Sequence, residues 1–150
     1  ATAIFGRMTF EDLADLDLAY APPFSAAKDP VIMAGMAAEH LYDGTVEALN
    51  ELPKDLAKWQ IVDVRRPDEV AAGMIAGAIN IPLDELRQRL SELDSKKPIL
   101  LYCQGGQRSY FAYQMLKGQG FSRVYNLSGG YIVQKLREQQ NGNPSLVTAG

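Results

Sequence analysis

From residue 59 onward, short β-branched or apolar runs alternate with helix-patterned segments, and no other feature constrains the fold so tightly. "WQIVDVR" (59–65) reads as a strand. "RPDEVAAG" (66–73) reads as a short helix opened by Pro67 and closed by Gly73. "GAINIPL" (77–83) holds a strand stopped by Pro82, and "DELRQRLSEL" (84–93) places Leu86, Leu90 and Leu93 on one helical stripe. "KPILLYC" (97–103) is an unbroken apolar run of the kind buried on both faces of a sheet. A helix closed by glycines (109–120), a strand "RVYNL" (123–127) and a last helix (130–140) follow, and "NGNPSLVTAG" reads as a loose tail. Such alternation requires right-handed crossovers, and predicts an α/β fold with a parallel sheet and helices on both faces.

The first 43 residues differ. Arg7 and Lys28 face seven acidic side chains there, a net charge of −5, whereas residues 44–150 carry 13 basic and 11 acidic side chains, a net of +2. Thr9 with Asp12 three positions on is an N-cap signature, and Pro30 opens a helical stretch to Tyr42 that is apolar nearly all round. Such a helix is expected to be buried, against the second part or against a partner outside this sequence. "APPFSAAKDP" between the two reads as extended. Two parts are expected, 1–43 and 44–150. Because the chain does not begin with Met, it is expected to be a piece of a longer protein or a processed product. The overall charge of −3 gives no bulk case for nucleic-acid binding. No run of about 18 apolar residues suggests a membrane span. One cysteine and one histidine supply neither a disulfide nor a cysteine-rich metal site, so no metal is expected and a reducing cytoplasm is the expected location.

That one cysteine, Cys103, ends the most hydrophobic strand. Gln104, Gly105, Gly106 and Gln107 form a turn, Arg108 follows, and Ser109 opens a helix. Ligands of parallel sheets sit beyond the carboxyl ends of the strands, so the thiol is expected in a site. A helix N-terminus and a nearby cation favour the thiolate, and the glycine pair lets successive N–H groups turn inward as an anion nest. The cradle suits a cysteine persulfide. A buried structural thiol beside an ordinary turn is the bland alternative. Four residues separate Cys103 from Arg108, one fewer than in phosphatase-type loops, and the shorter loop fits one terminal sulfur better than a tetrahedral phosphate. Asp63 and Arg65 read as a structural ion pair, with a place at the rim of the site as the alternative.

The second part resembles the rhodanese domains. "IVDVRRPDEVAAGMIAGAINIPLDEL" is similar to their D-V-R-x-P-x-E…G-H-I-x-G-A-x-N-I-P pattern, and "LLYCQGGQRSYFAYQMLKGQGFSRVYNLSGGY" to Y-C-x-x-G-x-R-S…V-x-x-L-x-G-G. The resemblance implies a five-stranded parallel sheet, a sulfurtransferase activity, Cys103 as the nucleophile that becomes a persulfide, and Gln104 to Ser109 as its loop. Met74 stands where the family often has His, and Tyr131 where it has Trp. A non-catalytic interaction domain and a small phosphatase or arsenate reductase on the same fold remain alternatives.

The first part, through "LAYAPPFSAAKDP", resembles the end of the dimerisation domain of coenzyme A-disulfide reductases and NADH-dependent persulfide reductases, flavoproteins of which some carry a C-terminal rhodanese domain. This resemblance implies a parent enzyme using FAD, NAD(P)H and coenzyme A, none of them bound by this piece, which lacks a G-x-G-x-x-G stretch. It also implies that Tyr20 and Lys28 face the partner subunit's reductase site. Expected partners are a small sulfur donor (persulfide, polysulfide or thiosulfate), a thiol acceptor such as coenzyme A, the parent's reductase domain, and a second copy of the chain.

Overall fold

The computed structural model describes residues 2–18, 29–141 and 146–147. The chain forms two compact units, Ala1–Thr45 and Val46–Gly150. No helix among the described residues is long and apolar enough to cross a membrane.

The first unit is helical: α1 (Thr2–Phe5), α2 (Phe10–Ala14) and α3 (Pro30–Tyr42). The capping box is formed reciprocally: the Thr9 hydroxyl accepts from the Asp12 N–H at 3.2 Å and the Asp12 carboxylate accepts from the Thr9 N–H at 2.8 Å. Asp29 caps α3 and Pro30 occupies its first turn. Within this chain α3 is not covered all round, as the expected alternative of a partner outside this sequence allows. Gly35 alone is buried, whereas Val31, Met33, Leu41 and Tyr42 are exposed. The reason is local. A five-residue α2 covers one stripe of α3, and it does so at Gly35, where a Cβ would stand 2.5 Å from the Ala14 nitrogen and 2.8 Å from the Phe10 carbonyl oxygen. The glycine lets the two backbones touch, and the rest of the helix surface is left uncovered by α2.

The second unit contains β1 (Ala48–Leu49), β2 (Gln60–Asp63), α4 (Pro67–Val70), β3 (Met74–Ile75), β4 (Ala78–Asn80), α5 (Leu83–Leu86), β5 (Ile99–Tyr102), α6 (Gln107–Gly118), β6 (Val124–Leu127), α7 (Gly130–Asn141) and β7 (Leu146–Val147). Its sheet is five-stranded and parallel, in the order β1-β6-β5-β2-β4. β5 is central, and all four of its residues are fully buried, each apolar side chain contributing about 1.5–3 kcal/mol. Alternation along β5 divides the core. Ile99, Leu101 and Cys103 pack with Ala112, Tyr113 and Leu116 of α6, while Leu100 and Tyr102 pack on the opposite face with Ile75, Leu127 and Tyr131 of α7.

Three details depart from the sequence expectation. β1 has two residues and no periodic signal, and it forms because it adds to the β6 edge. The helix expected over 84–93 breaks into α5 and a 3-10 turn at Leu90–Glu92, and Arg89 bridges the two through Glu85 and Glu92. Within the expected loose tail, Leu146–Val147 pairs antiparallel with β3.

Candidate active site

β5 ends at Tyr102, and the next residue, Cys103, is 2% exposed. Helix α6 begins at Gln107, two residues earlier than the sequence suggests, so the turn is only Gln104–Gly106. Gly106 is the N-cap at φ +112°, a conformation that strains any residue with a Cβ. In it, the Gly106 N–H donates to Cys103 Sγ at 3.1 Å. The Ser109 hydroxyl lies 3.6 Å from Sγ, fully buried, and also donates to the Gly106 carbonyl at 2.9 Å. Burial pushes the thiol's pKa up, but the Ser109 hydroxyl and the backbone N–H groups of Ser109, Gly106 and Gly105 together outweigh it, and the pKa is lowered. The crest of the loop, at Gly105 and Gln107, is exposed.

The loop's orientation is fixed from behind by α7. The Tyr131 N–H donates to the Cys103 carbonyl at 2.8 Å, and the Ile132 N–H to the Gln104 carbonyl at 3.1 Å. In a trans peptide the N–H points opposite to the C=O. Tying these two carbonyls to α7 therefore turns the following N–H groups, including that of Gly105, away from α7. The fit requires Gly130 (φ +55°), where a Cβ would collide with the Cys103 carbonyl oxygen and lie 3.0 Å from that of Gln104.

Arg108 does not stand over the loop as a lone cation. Its two Nη atoms donate to the Glu69 carboxylate at 2.6 and 2.7 Å. These bonds hold Glu69 down at about 2 against the opposing effect of burial, and raise Arg108 further. Asp63 and Arg65 form a fully buried pair, 2.7 Å between Nη2 and Oδ2. Arg65 also donates to the Gln104 side-chain carbonyl at 3.2 Å and to the Gly73 carbonyl at 2.7 Å, and the Tyr131 ring lies 4.0 Å below its guanidinium. The structural reading and the rim reading of this pair thus coincide: it is a core ion pair that also grips the first loop residue.

The structure brings Cys103, Gln104, Gly105, Gly106, Arg108 and Ser109 together, with Asp63 and Arg65 beneath, and leaves the Gln107 side chain exposed. Tyr20 and Lys28 lie outside the described residues. Met74 is in β3, and Tyr131 serves the Arg65 contact. Sequence reasoning missed Glu69 and Gly130. Both stood inside stretches with signals: a carboxylate at the third position of a Pro-opened helix, and a Gly pair directly before a helix.

A family model for the rhodanese-like domain matches residues 45–132. The chain belongs to this family. Among curated relatives, Bacillus subtilis YqhL is 49% identical over 74 residues, covering 49% of this chain and 59% of that protein. A sulfurtransferase of Allochromatium vinosum is 40% identical over 86 residues, 57% of this chain and 80% of the relative. Among solved structures, reduced Bacillus anthracis CoADR-RHD superposes with a TM-score of 0.85 at 44% identity over 93% of this chain, and a NAD-dependent persulfide reductase from A. fulgidus with 0.77 at 43% over 87%. The chain spans 25% and 24% of those two larger proteins.

Proposed function

We propose that this rhodanese domain is a sulfurtransferase in which Cys103 carries the sulfur as a persulfide. The observation that carries the reading is the Gly106 N–H aimed at Sγ from 3.1 Å, within a loop whose hydrogen bonds lower the thiol's pKa despite burial. The Cys103 thiolate attacks the terminal sulfur of a persulfide R–S–SH. The S–S bond of the donor breaks, R–S departs as a thiolate and takes up the proton, and Cys103–S–S⁻ remains in the nest. An acceptor thiolate then attacks the outer sulfur, breaks the Cys103 S–S bond and restores the thiolate, with no net oxidation. Preorganised N–H donors stabilise the anion at both stages.

The likeness to a CoADR-RHD and a persulfide reductase, which extends beyond the family-model match, supports placing this domain at the C-terminal end of a reductase, with residues 1–43 as the end of its dimerisation domain. Coenzyme A or the reductase's own cysteine is then the proposed acceptor, and FAD and NAD(P)H belong to the rest of that protein. The test is steady-state sulfur transfer from an organic persulfide to a thiol. Cys103→Ala abolishes it on this reading, and turnover that survives the substitution contradicts it.

A further inference from the structure

From Gln104 to Ser109 the chain carries a single charged side chain, Arg108, and the donors that Gly105, Gly106 and Ser109 present to the sulfur are uncharged. Arg108 interacts with two groups at once. Both Nη atoms donate to the Glu69 carboxylate, at 2.6 and 2.7 Å, and the guanidinium also interacts with the Cys103 sulfur. Glu69 is placed for this contact by its own surroundings. The Arg66 N–H donates to Glu69 Oε2 at 3.1 Å, and Arg65 Nη1 donates to the Glu69 backbone carbonyl at 3.4 Å. The carboxylate is thus anchored in α4 before it reaches the loop, and both members of the pair are partly exposed.

The pair decides what charge an incoming sulfur donor meets. The two arginines that precede α4 are cancelled in the same way, Arg65 by Asp63 at 2.7 Å and Arg66 by Asp68 at 2.9 Å. The N–H and O–H dipoles of the loop suffice for the one charge of a Cys103 persulfide. A dianion such as thiosulfate brings a second charge. Arg108, already held bidentate, receives that charge only by giving up Glu69. The released carboxylate would then stand beside the dianion, and such like-charge contacts are costly.

We infer that Glu69 is a positioning residue that sets donor specificity: by cancelling the charge of Arg108 beside Cys103, it biases the site toward sulfur donors with at most one negative charge and against dianions. The inference rests on the proposed sulfur transfer, and deepens it by naming the class of donor. Its test compares two donors of the same reaction, thiosulfate and methanethiosulfonate, in which a methyl group replaces one anionic oxygen. In each the Cys103 thiolate attacks the terminal sulfur, and the S–S electron pair leaves with sulfite or methanesulfinate. Cyanide, the common acceptor, then takes the outer sulfur as thiocyanate and restores the thiolate. Glu69→Gln shifts the ratio of kcat/KM values about fivefold toward thiosulfate, and Arg108→Gln, which leaves the carboxylate unpaired, shifts it the other way. The double variant, again without net charge there, returns to within about twofold of the wild type. A ratio unmoved by Glu69→Gln, or a double variant that tracks Glu69→Gln, overturns the inference. A second readout needs no turnover: the ratio of Cys103 alkylation rates by iodoacetate and iodoacetamide, in which the thiolate fraction cancels. It follows the same order across the three variants, and equal ratios in all of them overturn the inference. Ordered alkylation ratios in a chain that takes sulfur from neither donor would sustain the charge cancellation and refute the sulfurtransferase reading instead.

Discussion

Replacing Ser109 by Ala removes a fully buried side-chain donor near the sulfur while sparing Arg108 and the backbone donors. The hydroxyl is 3.6 Å from Sγ and shares its single proton with the Gly106 carbonyl, 2.9 Å away. Hydrogen bonds to charged groups contribute about 1.5–3 kcal/mol, and the long, shared contact belongs at the lower end. About 1.4 kcal/mol corresponds to a tenfold change in the thiol–thiolate equilibrium. Well below the titration midpoint, Ser109→Ala therefore leaves about one-tenth of the wild-type thiolate. Each remaining thiolate is more basic and hence about threefold more nucleophilic. The net exchange rate with 4,4′-dithiodipyridine falls about three- to fourfold at low pH. Above both midpoints the order reverses, with the variant about threefold faster. The Tyr110 N–H still donates to the Gly106 carbonyl at 3.0 Å, so the start of α6 is retained. Stopped-flow rates across the pH range give both arms. Superimposable profiles, or a variant midpoint below the wild type's, would refute the assignment of Ser109 as a thiolate donor.

Three further substitutions probe the frame around the thiol. Glu69→Gln tests the clamp on Arg108: Glu69 titrates at about 2 when folded instead of 4.5, so its stabilisation is complete above pH 4.5 and lost as pH falls toward 2. With the pair 23% and 33% exposed, screening reduces this to about 2 kcal/mol, which urea unfolding at pH 5.5 and 3.5 detects as a steeper acid loss in the wild type. The same variant frees a guanidinium beside the loop, and thiosulfate turnover should rise relative to organic persulfide turnover. Gly130→Ala forces the Cys103 carbonyl off the α7 N–H groups, costing about 2–4 kcal/mol and slowing thiol exchange together, and equal Tm values would contradict the close approach. Arg65→Met leaves the Asp63 carboxylate buried without its partner, and chemical denaturation should record a loss of about 3–5 kcal/mol.

Much of this was readable from residue order because β5 and its loop are a local matter. "PILLYC" followed by a Gly pair fixes a buried central strand, a turn at its carboxyl end and a helix start, all within about a dozen residues. What escaped was long-range. Glu69 meets Arg108 across 39 positions, and Gly130 meets Cys103 across 27, so neither pairing has a spacing rule to announce it. β1 escaped because two residues carry no period, and α3's exposure because composition says that a helix is apolar without saying what covers it. The sequence displays the Arg108 cation, while the carboxylate that pairs with it sits in α4, the helix that follows the neighbouring strand β2.

The central claim is that the loop activates Cys103 to hold a sulfur atom, and intact mass measures this most directly. Brief incubation with a small organic persulfide should add about one sulfur, roughly 32 Da, to the wild type, and added thiol should remove it. Cys103→Ala should gain nothing. An unmodified wild type, with a thiol that also exchanges slowly near pH 7, would contradict the claim.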